Sequence, residues 1–203
     1  MTATLVDYAL VTVEEATAFL TPSADVDVID LINRATDYCE EYCNRPLMAR
    51  EFEDLRLPAQ ESPYLRLRVF PIDVEEDIVV YLDNVLQTVW KTEDDGDQED
   101  SDVVVGGDVP GVPNYLYRHC GWLTCLWRTP NPIRLTYTGG FATAPGHLRD
   151  AAFLVIENVY NHQVKKLAPI ASFGEGPSSP SVTFRDMIPM KAKVILDRYV
   201  VSW

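Results

Sequence analysis

Four cysteines and three histidines are the side chains of this sequence best suited to chemistry, and zinc is the first chemistry they suggest. Cys39 and Cys43 stand one helical turn apart, and His119, Cys120 and Cys125 could complete a tetrahedral ligand set. The spacing argues against it. Zinc knuckles place closely spaced cysteines in a turn on each side of the ion, whereas Cys39 and Cys43 fall on an apolar helical stripe, where cysteine packs as a small hydrophobe. A thiolate nucleophile needs an imidazole beside it. His119 adjoins Cys120, but neighbours on a strand point to opposite faces. His147 and His162 lie at the two ends of one helical stretch, roughly 20 Å apart by helix rise, and cannot share a site. Gly106-Gly107 is followed by Asp108, Val109 and Pro110, not by the Lys and Ser or Thr of a phosphate loop. The residues therefore predict no catalytic, metal or cofactor site. A cytosolic metal-binding or enzymatic module stays open as an alternative, because a site assembled only in three dimensions leaves no linear signature.

Seven of the ten residues from Glu93 to Asp102 are acidic: Glu93, Asp94, Asp95, Asp97, Glu99, Asp100 and Asp102. A calcium loop needs alternating oxygen ligands, a glycine in register and a distal glutamate, and this string lacks that register. It reads as a solvated, self-repelling loop. Downstream, Tyr115, Tyr117, Trp122 and Trp127 crowd a short span in which Arg118 and Arg128 are the basic residues. Base-stacking platforms interleave more positive charge, so core packing or a subunit contact is the expected role.

The elements that must position these residues begin with a strand, a glycine turn and a long helix between Ile133 and Gln163. Ile133, Leu135 and Tyr137 alternate with Arg134, Thr136 and Thr138 until Gly139-Gly140 breaks the pattern. Beyond Pro145, Leu148, Ala151, Ala152, Val155, Ile156, Val159 and Tyr160 recur at three- and four-residue spacing. A matching stripe runs from Asp25 to Cys43 through Val28, Leu31, Ile32, Ala35, Tyr38, Cys39 and Tyr42, with Asp25 or Asp27 as its N-cap. Thr12 and Glu15 have capping-box spacing, so a short helix to Leu20 precedes it and the two form a helical hairpin. Asn44-Arg45-Pro46 ends the second helix, since a residue before proline is pushed out of helical backbone.

From Arg50 to Thr138 the pattern is extended. Leu65, Leu67 and Val69 alternate with Arg66, Arg68 and Phe70, and Ile78–Leu82 and Val85–Trp90 flank Asp83-Asn84 as a two-residue hairpin turn. Residues 108–114 are rich in Gly and Pro and predict a surface connection. The fold class expected is α+β: a helical bundle from segments 13–20, 25–43 and 145–164, an inserted antiparallel β portion and a carboxy-terminal helical arm.

A chain of 203 residues is long enough for a substantial core without staples, and 47% apolar residues is ordinary for a globular protein. The net charge of -14, from 17 basic and 31 acidic residues, disfavours tight binding to DNA, which rests on Lys and Arg displacing counterions. It suits a wall that DNA slides past. Residues 1–10 lack a basic start and a sustained apolar core, and the longest apolar run, Ala151–Ile156, is far short of a membrane span. The expectation is a soluble protein of a reducing cytoplasm, with free thiols.

The strings "YCEEYCNRPL" (Tyr38–Leu47), "IRLTYTGGF" (Ile133–Phe141) and "APGHLRDAAFLVIENVYNHQ" (Ala144–Gln163), around a β-rich middle, resemble the head-tail connector, or adaptor, proteins of tailed bacteriophages. The matching segments cover roughly the first and last thirds of the family's frame and leave residues 90–128 unmatched. It implies a structural virion protein without catalytic activity. Such a protein forms a homo-oligomeric, twelve-fold ring beneath the portal, joins capsid to tail, meets a further neck or tail protein and lines the channel for genome passage, with no membrane partner. It would sit in the neck of the virion and be made in the host cytoplasm. A stopper or tail-terminator ring is the structural alternative.

On this reading residues 1–170 form the adaptor domain, with a β-rich insertion at about 50–138, and residues 171–203 a flexible tether and docking helix. Ala171–Ser181 is rich in Gly, Ser and Pro, a composition that buries little apolar surface. Met187, Ile188, Ala192, Ile195, Leu196, Tyr199 and Trp203 then return to apolar helical spacing, and are expected to dock on the portal or a neighbouring subunit, or to fold back on the chain's own core.

Overall fold

The computed structural model describes residues 4–22, 26–58, 61–91, 102–107, 112–122, 132–163 and 187–201, in two compact units. The helical unit takes residues 1–45 and 143–203, and the β unit residues 46–142. The chain therefore leaves the helical unit after Arg45 and returns to it at Thr143, which is the insertion expected from the sequence. The class is α+β.

In the helical unit, α1 (Val13–Leu20) opens on the predicted capping box: the Thr12 hydroxyl accepts from the Glu15 N–H at 3.2 Å, and the Thr12 N–H donates to the Glu15 carboxylate at 3.0 Å. Helix α2 (Val28–Cys43) starts at the first residue of the stripe, and of the two expected caps it uses Asp27, whose side chain accepts from the Asp30 N–H. Asn44 ends it in left-handed backbone (φ 55°), returning its N–H to the open carbonyls of Glu40 and Glu41. Helix α3 (Gly146–Gln163) begins just after Pro145, whose carbonyl takes the N–H of Arg149. All seven residues of its predicted stripe are buried, as are Leu31, Ile32, Ala35, Cys39 and Cys43 of α2. The two stripes pack on each other, and each fully buried Ile, Leu or Val contributes about 1.5–3 kcal/mol by leaving water. Helix α4 (Met190–Leu196) packs on α3 and α2.

The β unit holds two four-stranded sheets around one core. One sheet has the order β1-β8-β3-β4 and is antiparallel throughout, where β1 is Arg50–Leu57, β3 Val79–Leu82, β4 Val85–Gln87 and β8 Ile133–Gly139. The other has the order β2-β7-β6-β5, from Tyr64–Arg66 (β2), Val89–Trp90 (β5), Val103–Gly106 (β6) and Tyr115–Tyr117 (β7). Inward residues of both, among them Leu65, Val80, Val105, Leu116, Leu135 and Trp122, share the core.

Three local expectations change. The strand read at Leu65–Phe70 pairs only over Tyr64–Arg66, although Leu67 and Val69 keep the alternation and stay buried. The strand after the Asp83-Asn84 turn does not run on to Trp90: the Thr88 N–H and hydroxyl both bond the Asp102 carboxylate, and β5 then crosses to the second sheet. There β5 lies parallel to β6, so the β portion is mixed. The turn itself forms as expected, with Asp83 and Asn84 both at positive φ (50° and 67°), the backbone that closes a two-residue hairpin.

Candidate interaction surfaces

The residues first considered for chemistry are distributed between the two units. Cys39 and Cys43 are buried in the helical unit; His119 and Cys120 belong to the β unit. Burial pushes the Cys39 thiol well above its ordinary value and the Cys43 thiol up to about 12, so neither is a ready ligand or nucleophile. Cys43 Sγ instead donates weakly to the Leu196 carbonyl at 3.8 Å. His119 and Cys120 lie in a turn after β7, not on a strand, with His119 Nδ1 3.4 Å from the Tyr117 hydroxyl and Cys120 exposed. Among the described residues no three His, Cys, Asp or Glu side chains gather at ion-binding distance. Cys125, Trp127 and Arg128 lie outside the described residues. No described helix is long and apolar enough to cross a membrane.

The carboxy-terminal stripe divides in two. Ile188, Ala192, Leu196 and Tyr199 are buried within the helical unit itself, against the helices that α4 packs on. Of the two arrangements the stripe allowed, docking on a partner or folding back, these four residues have the second: the face that the periodicity marked is covered by the chain's own helices. Long-range hydrogen bonds fasten both ends of the segment. Asn158 Nδ2 donates to the Met187 carbonyl at 2.8 Å, Tyr42 Oη donates to Asp197 Oδ1 at 2.6 Å, and the Val201 N–H donates to the Cys43 carbonyl at 3.1 Å. Tyr199 meets His147 Nε2 through its hydroxyl, and the buried Arg45 guanidinium sits over its ring, 5.9 Å from the centroid. Burial lowers the Arg45 pKa to about 10. Met187 and Ile195 are half-buried, Trp203 lies outside the described residues, and so does the tether at 171–181. The expected boundary at 170/171 falls there too, while α4 belongs to the same unit as α2 and α3.

What α4 offers outward are residues the stripe did not single out: Met190 and Val194, one turn apart and 75% and 57% exposed. The β unit also exposes two apolar side chains, on opposite faces of one strand. On β4, Val85 and Leu86 are 62% and 59% exposed while the polar Gln87 is turned in at 9%, the reverse of the alternation that keeps an edge strand soluble. Of the predicted aromatics, Trp122 is core, its indole N–H donating to the Pro63 carbonyl at 2.9 Å. Tyr115 and Tyr117 face outward, each about edge-on or tilted to Tyr64 at 5.2 Å between ring centres. Tyr64 was not marked by the sequence, because its partners come from a strand 50 residues away. Of the acidic loop only Asp102 is described; its bonds from the Thr88 N–H and hydroxyl hold its carboxyl below the usual range. Glu93, Asp94, Asp95, Asp97, Glu99 and Asp100 lie outside the described residues.

Solved structures with this arrangement exist. A chain in the neck of an empty gene transfer agent particle, computed with C6 symmetry, matches all of this chain and 95% of its own length, with a TM-score of 0.60 at 17% identity. The chain has the fold of that neck chain. A chain in the neck of the native particle, computed with C12 symmetry, matches the same shares with a TM-score of 0.56 at 15% identity. A chain in the virion of the native gene transfer agent particle does so at 0.58 and 15%. These matches span the whole chain, whereas the resemblance to head-tail connectors left residues 90–128 unmatched. No protein-family model matches the chain, and no curated protein matches it in sequence.

Proposed function

We propose that this chain is a structural head-tail connector of a phage-like particle. It assembles as a ring of twelve copies beneath the portal, joins capsid to tail, and lines the channel through which the genome passes. The observation that carries this reading is the full-length likeness to chains of necks solved with C6 and C12 symmetry. Its charge fits the role: a ring of chains at -14 each repels DNA from its wall and lets it slide. The acidic residues, the Glu93–Asp102 stretch among them, belong on the lumen and other solvated faces, because burying that charge without cations is costly. A catalytic role is not part of the proposal.

Imaging of the assembled particle tests it. Density for this chain in a twelve-fold ring directly under the portal is the expected result. A ring further down the neck would make the chain a stopper or terminator, and absence from the particle would end the reading. Deleting the gene should leave filled heads without tails.

A further inference from the structure

We infer that the β unit is a staple: it clips its own two ends together and so keeps the two halves of the helical unit within reach of each other. The inference is independent of the connector reading, and either can fail without the other.

The helical core is built from two separate stretches of chain. Helices α1 and α2 precede Arg45, and α3 and α4 follow Thr143, yet the buried stripes of α2 and α3 pack on each other. Between them stand residues 46–142. Were those residues an open coil, packing α2 on α3 would close a flexible loop of about a hundred residues, and a closure penalty that grows as the three-halves power of length would disfavour it roughly a thousandfold. The folded β unit removes that penalty.

It does so by pairing its first strand with its last. Strands β1 and β8 run antiparallel with Arg50 opposite Gly139, so the strand that enters the unit begins where the strand that leaves it ends. Outside that pair the two chains stay bonded. Met48 and Phe141 form a parallel bridge, the Ala49 N–H donating to the Phe141 carbonyl at 3.0 Å and the Phe141 N–H to the Leu47 carbonyl at 2.9 Å. Gly140 lets the backbones come this close, since a Cβ there would stand 2.4 Å from the Met48 carbonyl oxygen. The means of closure are internal to the unit. Its buried core runs from Leu65 to Tyr137, so residues 46–142 contain both the strands that form the clip and the apolar surface that keeps those strands folded. The clip acts through chain connectivity, as a cross-link does, with hydrogen bonds in place of a covalent bond.

The test uses the full chain in a Cys120→Ser/Cys125→Ser background, with hydrogen exchange read peptide by peptide by mass spectrometry. Leu116→Asp/Leu135→Asp puts two carboxylates at fully buried sites of the β core, and loss of protection in β1 and β8 shows that the unit has opened. Protection in α2 and α3 should then fall by about a thousandfold or disappear. Adding Met48→Cys/Phe141→Cys to the same variant replaces the clip by a disulfide, because bridge partners lie about 4.8 Å apart and a disulfide spans roughly 4.4–6.8 Å between Cα atoms. A digest without reductant confirms the bond. In the oxidised form helical protection should return to within about tenfold of wild type, and reduction should abolish it again. Leu196→Asp is the converse: it opens the helical unit, and the strands should stay protected because their clip is intact. Helices as well protected with the β unit open as in wild type, a disulfide that restores nothing, or strands that open along with the helices would each overturn the inference.

Discussion

The Tyr42 hydroxyl donates to Asp197 at 2.6 Å, joining the last turn of α2 to the residue that closes α4 across 155 positions of sequence. With the Val201 N–H donating at 3.1 Å to the carbonyl of the next residue of α2, Cys43, it makes the carboxy-terminal helix part of the helical core.

Removing residues 181–203 is therefore expected to destabilise the helical unit, because Ile188, Ala192 and Leu196 would leave α2 and α3 bare. Leu196→Ala alone should cost about 2–5 kcal/mol. Tyr42→Phe, which removes one partly solvated bond, should cost about 0.5–1.5 kcal/mol. Denaturant titration orders the three. A truncated chain as stable as wild type would show that the helix contributes nothing to the core.

Glu15 lends the fold a pH dependence of defined sign. The Thr12 N–H holds its carboxyl below the ordinary 4.5 against the opposing effect of desolvation, and Arg149 at 2.9 Å adds to the lowering. A depressed pKa means stability that is full above 4.5 and lost as pH falls through the folded value. Glu15→Gln should thus lower the melting temperature near neutrality, with the gap to wild type closing in acid. A gap independent of pH would exclude the ionic contribution.

Gly140 is expected to tolerate no side chain. Its φ is 111°, and a Cβ there would stand 2.4 Å from the Met48 carbonyl oxygen. Gly140→Ala should cost at least about 1–3 kcal/mol from backbone strain, with the steric clash adding to it. Gly146→Ala is the control: a Cβ meets nothing within 4 Å, and the residue opens α3, so stability should hold or rise slightly. Equal losses at both glycines would refute the close approach.

The thiols should separate by reactivity. Cys120 is exposed, whereas Cys39 and Cys43 are buried and held protonated, so a maleimide should modify Cys120 in the native protein and reach Cys39 and Cys43 only on unfolding. Mass spectrometry of timed digests reads this directly. Purified protein is also expected to carry no stoichiometric zinc and to keep its melting temperature in chelator.

Short-range physics made much of the helical unit legible. A capping box needs only Thr12 and Glu15 three residues apart, and an amphipathic stripe needs only a period, so α1, α2 and α3 follow from residue spacing. The Asp83-Asn84 turn was equally readable, because two adjacent residues supply all the positive φ it requires. Strand partners were not, since pairing joins residues far apart: nothing near Thr88 announces that Asp102 will pull β5 into the second sheet. The carboxy-terminal helix shows the same division most sharply. Its period marked an apolar face at Ile188, Ala192, Leu196 and Tyr199, but a period carries no information about what covers that face. Only the tertiary contacts with α2 and α3 decided that the chain covers it itself, while Met190 and Val194 of the same helix stay exposed. The sequence by itself determined which helices form; packing decided which apolar surfaces are spent within one copy, because burial depends on every other element present.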